Sequence, residues 1–247
     1  MRKFLALAIA GAMTVGVVSF ATADESIQTE VGKVSPTKLS KKTYKNVKFV
    51  NTITTQNVPG TNQPPSANRT ILDLSKNLKF NNKKTPYCKT DEAGLELAAT
   101  PEDAKQVCGK KSLVSEDSGS TAQVRVDQGP MAPPLEIPVQ VLAFNESGNK
   151  LLLFSKPQDP FAGIPASILV GKLVKSKSGK KYGKALDVTI PPLAAGAISF
   201  FEVTIPKSKY IQGRCKSKKM YFQAETFFDG GTSTKDDYFR QCKPKKK

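Results

Sequence analysis

The stretch from Cys215 to Cys242, Cys215-KSKKMYFQAETFFDGGTSTKDDYFRQ-Cys242, decides how the chain is built. It reads as two strands folded back at Asp229-Gly230-Gly231, and a cysteine stands at each open end. A disulfide across the open ends would close them.

That reading requires an oxidising compartment, and the N-terminus predicts one. Arg2 and Lys3 precede an apolar run from Phe4 to Phe20, and Ala21-Thr22-Ala23 supplies the small residues of a cleavage site before Asp24. Residues 1–23 therefore read as a signal peptide, residues 24–242 as one β-sandwich-like domain and residues 243–247 as a basic tail. A retained anchor is the competing reading. Gly11, Gly16 and the small-residue site favour cleavage and a secreted, extracellular protein with no membrane span afterwards. Four cysteines in such a chain predict two disulfides. Local pairing, Cys88–Cys108 and Cys215–Cys242, is expected because each pair flanks a compact unit. Zinc is disfavoured, since there is no Cys-x-x-Cys spacing and no histidine.

Working backwards, Ala197–Ile205, residues 181–190 and 167–176, Lys150–Phe154, Pro138–Phe144, Gln123–Asp127, Ile71–Phe80 and Lys41–Thr55 each read as strands. Residues 58–69, rich in Pro, Gly and Asn, read as an exposed loop. One helix is signalled: Thr100 as cap, Pro101 in the first turn, Glu102 and Asp103 beside the exposed amides, Gly109 as stop. The expected fold is mainly β, an antiparallel sandwich with one short helix and two local disulfides.

The combination of Leu78-Lys79-Phe80, Pro86-Tyr87-Cys88, Thr100-Pro101-Glu102-Asp103-Ala104, Cys108-Gly109, Val141-Leu142-Ala143-Phe144-Asn145 and the closing Cys215…Phe227-Phe228-Asp229-Gly230…Cys242 resembles a family of exported actinobacterial proteins without assigned function. The likeness spans roughly residues 30–242. Its motifs are structural, so it implies the compartment and a β-rich fold and carries over no active site.

Composition excludes several chemistries. Without histidine there is no Ser-His-Asp or Cys-His arrangement and no histidine metal site. Ser35…Lys38 and Ser178…Lys181 have Ser-x-x-Lys spacing, but neither opens a helix that would align the pair. Glu202, Glu225, Asp229, Asp236 and Asp237 are candidate carboxylates for a glycosidase-like hydrolase, against the plainer reading of strand and turn polarity. The aspartates of Asp229–Asp237 match no calcium loop, and no phosphate-binding glycine pattern occurs, so no cofactor is expected.

Charge remains. The formal net charge is +17, and residues 166–219 hold 12 basic and 2 acidic side chains. Lys172, Lys175, Lys177, Lys180, Lys181 and Lys184 cluster on one predicted hairpin, and Lys207, Lys209, Arg214, Lys216, Lys218 and Lys219 form a second group. Such patches attract anionic polymers. Lysine lacks the bidentate grip of arginine, and sparse aromatics argue against specific nucleic-acid binding. The plainer alternative is solubility, since edge-strand lysines also block aggregation. The expectation is a non-enzymatic envelope or extracellular protein that binds anionic wall polymer weakly. The alternatives are a carboxylate hydrolase and a sandwich with an apolar pocket.

Overall fold

Alternation of buried and exposed side chains folds most of the chain into antiparallel strands. The computed structural model describes residues 27–57, 60–118, 120–129, 131–193 and 195–244; the expected leader and the last three tail residues lie outside these. In chain order the strands are β1 (Gln28–Ser35), β2 (Lys38–Leu39), β3 (Lys45–Asn46), β4 (Lys48–Thr55), β5 (Ala67–Ser75) and β6 (Leu78–Phe80). Two helices follow, α1 (Glu92–Glu96) and α2 (Pro101–Cys108). Then come β7 (Thr121–Val126), β8 (Leu135–Glu146), β9 (Lys150–Pro157), β10 (Ser167–Lys175), β11 (Tyr182–Thr189), β12 (Ala197–Ile205), β13 (Ile211–Gly213), β14 (Lys219–Phe228), β15 (Ser233–Gln241) and β16 (Lys243–Pro244).

Eleven strands form one sheet in the order β1-β4-β12-β7-β8-β9-β10-β11-β5-β14-β15. The expected sandwich is corrected here: the sheet curls until its two edges meet and is nearly barrel-shaped. The edges do not pair through their backbones. Instead the Glu30 amide of β1 donates to Asp236 Oδ2 of β15 at 2.5 Å, and Gln28 Nε2 donates to the Ala224 carbonyl of β14 at 3.5 Å. The approach is close because residue 32 is glycine. A Cβ there would lie 2.5 Å from the Phe222 ring.

Inward-facing residues form the main core, including Phe49, Leu72, Leu74, Val141, Leu151, Leu153 and Phe222. In β12 the apolar residues are spaced unevenly, Ile198 then Phe201, Val203 and Ile205. A bulge between Ile198 and Phe200 in the pairing with β7 takes up the extra residue, and all four line the interior.

The segment between β6 and β7 covers the outer face of β8–β10. There Leu142, Phe144, Leu152 and Phe154 pack against Leu95, Ala98, Ala104 and Cys108 in a second core. This is why β8 and β9 read as nearly continuous apolar runs: both faces are covered. The helix α2 has the expected cap, with Thr100 Oγ1 accepting from the Asp103 amide at 3.1 Å and Asp103 reaching back to the Thr100 amide at 3.1 Å. Gly109 sits at φ 81° as its stop. The single helix expected is joined by α1, whose cap is Asp91 accepting from the Gly94 amide at 3.0 Å.

Both disulfides form as expected, Cys88–Cys108 and Cys215–Cys242. The first ties the helical cover to the chain entering it. The second joins β15 to the segment leading into β14. Loops of these lengths are worth about 3 to 4 kcal/mol each in the chain-entropy account. No described helix is long and apolar enough to cross a membrane.

Candidate functional site

The strands of the large sheet alternate in direction, so their connections fall at one of two ends of the barrel, except the β6–β7 segment, which covers the outer face and brings Glu116 to 2.8 Å from Lys48 at the start of β4. At the end where β1 finishes and β4 begins lie residues 36–47, 76–84, 176–181 and 206–218. These segments carry four, four, three and five Lys or Arg residues and no Asp or Glu. At the opposite end lie the described residues of 56–66, 127–134, 158–166, 190–196 and 229–232; these stretches of sequence carry Asp127, Asp159 and Asp229 and no basic residue. The first is the lysine end and the second, from its composition, the proline end.

The two sequence clusters of cations therefore meet. Lys76 Nζ donates to the Lys180 carbonyl at 2.9 Å, and Asn77 Nδ2 donates to Ser217 Oγ at 3.0 Å and the Lys219 carbonyl at 3.1 Å. The Cys215 amide bonds the Ser40 carbonyl at 2.8 Å. Lys172, Lys175, Lys177, Lys180, Lys181 and Lys184 are all exposed. Lys175 and Lys184 face each other across β10–β11, Lys177, Lys180 and Lys181 occupy the tip, and Lys172 lies along the strand. Several cations stand over rings: Lys181 Nζ 5.1 Å from Tyr221, Lys219 Nζ 4.1 Å from Phe239, and the Arg214 guanidinium 4.6 Å from Tyr44. Sequence spacing gave no hint of these pairs, because their members lie on different strands or loops.

Inside the barrel is an apolar cavity. Its volume is about 90 Å³, where a single water needs about 10 to 15 Å³ on the same measure. The wall comes from β4, β5, β6, β8–β12 and β14, with Phe49, Leu72, Phe80, Leu153, Leu169, Phe201 and Ile205 among its residues. Its polar members are Asn51, Thr55, Thr70 and Thr226. The lysine end is plugged by β2, β3 and β13 and their flanks, where Leu39, Val47, Tyr210, Ile211 and Cys215 are buried. Ile53, Ala67, Thr70 and Ile198 line the cavity towards the proline end and stay partly exposed, as does Phe80 of β6 at the lysine end.

The candidate carboxylates are distributed over separate structural roles. Glu202 accepts from Thr52 Oγ1 at 2.8 Å, and Glu225 stands 3.9 Å from Lys235. Asp229 accepts from Asn68 Nδ2 at 3.1 Å in the β14–β15 turn. Asp236 takes the Glu30 amide. Asp237 accepts from the Tyr182 hydroxyl at 2.7 Å and Gln223 Nε2 at 2.6 Å. Burial opposes the ionisation of Asp237, but these two bonds with Lys181 and Lys235 hold its pKa below the ordinary carboxylate value. Ser178, one of the serine–lysine candidates, donates to Asp73 on β5. Among the described residues no group of three His, Cys, Asp or Glu is placed to hold a metal ion.

Sequence reasoning missed Glu30, which lay in a segment read only as an extended entry. It is 1% exposed, and the Ala224 backbone is the donor that acts on its buried carboxyl. Burial raises its pKa, the charges of Asp236, Asp237 and Asp73 add to the rise, and the Ala224 backbone offsets part of it; the outcome is about 9. A carboxyl so placed is protonated at neutral pH.

No protein-family model, curated protein or solved structure matches the chain.

Proposed function

We propose that this is an exported, non-enzymatic binding protein that encloses an apolar molecule in its barrel and adheres through its lysine end to anionic envelope polymer. The cavity carries the first half of the reading. Packed interiors leave few voids larger than a water, whereas this one keeps a larger, almost wholly apolar space with a mouth. Concave, mostly apolar sites with a few polar groups are the usual form of small-molecule sites. The second half rests on charge. Folding gathers cations from separate parts of the chain at one end, and a one-sided field of that kind attracts polyanions. The two disulfides and the lack of a membrane-crossing helix among the described residues are consistent with an extracellular setting.

The mature chain tests both halves. An environment-sensitive apolar dye should bind with a fluorescence increase that Ala143→Phe, which fills the cavity, abolishes without loss of the folded state. Replacing Lys175, Lys177, Lys180 and Lys181 with Gln should leave dye binding unchanged and weaken retention on purified wall polymer. Retention of the parent protein should fall steeply as salt rises. Dye binding that survives Ala143→Phe removes the chamber. Retention indifferent to salt and to the lysines removes the adhesion.

A further inference from the structure

A second concave site lies on the outer face of the barrel, where β4, β12 and β7 run side by side. Cross-strand pairing sets Thr54 of β4, Phe200 of β12 and Gln123 of β7 in one row. Neighbouring strands stand about 4.8 Å apart, so that row is about 10 Å wide. Phe200 points away from the interior: Ile198 and Phe201 line the inner cavity, whereas Phe200 belongs to neither apolar core. The bulge between Ile198 and Phe200 is responsible, because its extra residue leaves Ser199 and Phe200 both on the outer side. Ser199 Oγ donates to the Gln123 carbonyl at 3.3 Å and so braces the bulge against β7. Towards the proline end stand Gln56, Asn57 and Arg125. Together these side chains line a groove of about 460 Å³, within the range of about 300 to 1,000 Å³ common to small-molecule sites.

The groove is polar without offering a free charge. Arg125 is its one ionised residue; Nε donates to Glu136 Oε1 at 2.5 Å and Nη1 to Asn57 Oδ1 at 2.7 Å. Those bonds neutralise the guanidinium and fix its plane. The next outward row holds Glu202, bonded to Thr52 at 2.8 Å. An anionic ligand would therefore meet a cation already paired and a second carboxylate close by. The other polar groups are hydroxyls and primary amides, which donate and accept together, and Thr54, Gln56 and Gln123 are exposed. A hydrocarbon would leave all of them unpaired. From this we infer that the groove binds one ring of an uncharged saccharide, with its C–H face on Phe200 and its hydroxyls on Thr54, Gln56, Gln123 and Arg125. The C–H face of a pyranose suits the negative face of an aromatic ring. Its hydroxyls each donate and accept, which matches the amides on either side. The site is separate from the inner chamber and from the lysine end, and it depends on neither.

The test titrates the isotope-labelled mature protein with cellotriose, maltotriose and N-acetylchitotriose, and with trigalacturonate and adenosine as the competing chemistries. Each is taken to about 10 mM, which fills a site of millimolar affinity. At least one neutral trisaccharide should shift the backbone amide signals of Thr54, Gln56, Gln123 and Phe200, with a midpoint indifferent to salt. Phe200→Thr, which keeps a strand former, should weaken binding by about tenfold, the size of a lost stacking contact. Gln123→Ala, at an exposed position, should weaken it by about fivefold, the size of a lost hydrogen bond. Both variants should keep the parent melting temperature; if Phe200→Thr does not fold, Gln123→Ala decides. No shift at these amides with any of the three trisaccharides, affinity retained in Gln123→Ala, or tighter binding of trigalacturonate or adenosine overturns the saccharide site. Dye binding and retention on wall polymer are read separately, so such a result leaves the chamber and the lysine end standing.

Discussion

Glu30 makes folding stability depend on pH with a sign opposite to that of most paired carboxylates. The ordinary value for its carboxyl is 4.5, and the fold raises it to about 9. Below pH 4.5 both folded and unfolded chains hold the proton, and the site costs nothing through ionisation. As pH rises through 4.5 the unfolded chain releases its proton while the folded chain keeps it. The folded state then loses about 1.4 kcal/mol per pH unit relative to the unfolded one. That loss continues to about pH 9, where both states are ionised. At pH 7 it amounts to about 3 kcal/mol, a large share of a typical domain's 5 to 15 kcal/mol. Glu30→Gln removes the titration and keeps the shape. Urea unfolding of the parent and the variant at pH 4.5, 6, 7 and 8.5 isolates the term, because every other titrating group is common to both. The variant should gain on the parent steadily across that range, by about 3 kcal/mol at pH 7. Parallel curves, with a gap that does not change with pH, would refute the buried, neutral carboxyl.

Two further outcomes follow from packing and covalent structure. Gly32→Ala forces a methyl group to within 2.5 Å of the Phe222 ring; it should destabilise by about 1 to 3 kcal/mol in thermal or urea unfolding, and a neutral result would mean that β1 does not lie against β14. Replacing Cys88 and Cys108 together with serine should cost about 3 kcal/mol and raise hydrogen exchange in α1 and α2 above that in β14, since these short helices are marginal in isolation; exchange rising equally everywhere would show that the bond stabilises the chain only globally.

Local features were legible in the sequence and global closure was not. The span of β12, the β14–β15 hairpin, the capped helix from Pro101 and both disulfides follow from signals within about 30 residues of each other. Alternation reports that a strand has one covered face, but not what covers it. A sandwich and a curled sheet bury that face alike, so nothing in β1 or β15 announced that they would meet. Glu30 sits at an inward position of a strand whose pattern, with Gln28 and Gly32 as its inward neighbours, carries little apolar signal. Its burial is imposed by β14 and β15, about 190 to 210 residues later. The helix α1 was hidden for a related reason: Glu92–Glu96 has one buried residue, Leu95, too few to show a period.

The lysine clusters illustrate the same division between local and global information. Their number was plain, and on that basis both an adhesive patch and, more plainly, a merely soluble surface were readable. Antiparallel connectivity adds what composition lacks. Residues 36–47, 76–84, 176–181 and 206–218 share one end because each leaves a strand that runs towards it, and none of them carries an acid. Lysines kept only for solubility gain nothing from one end over the other, and the proline-end loops, without a single basic residue, show that the barrel does not need them at both. A cavity that opens at the proline end would keep its ligand exchange clear of a polymer held at the lysine end, so saturating the protein with polymer at low salt should then leave the rate of dye release unchanged. Slower release on the polymer would place the opening at the lysine end, beside Phe80.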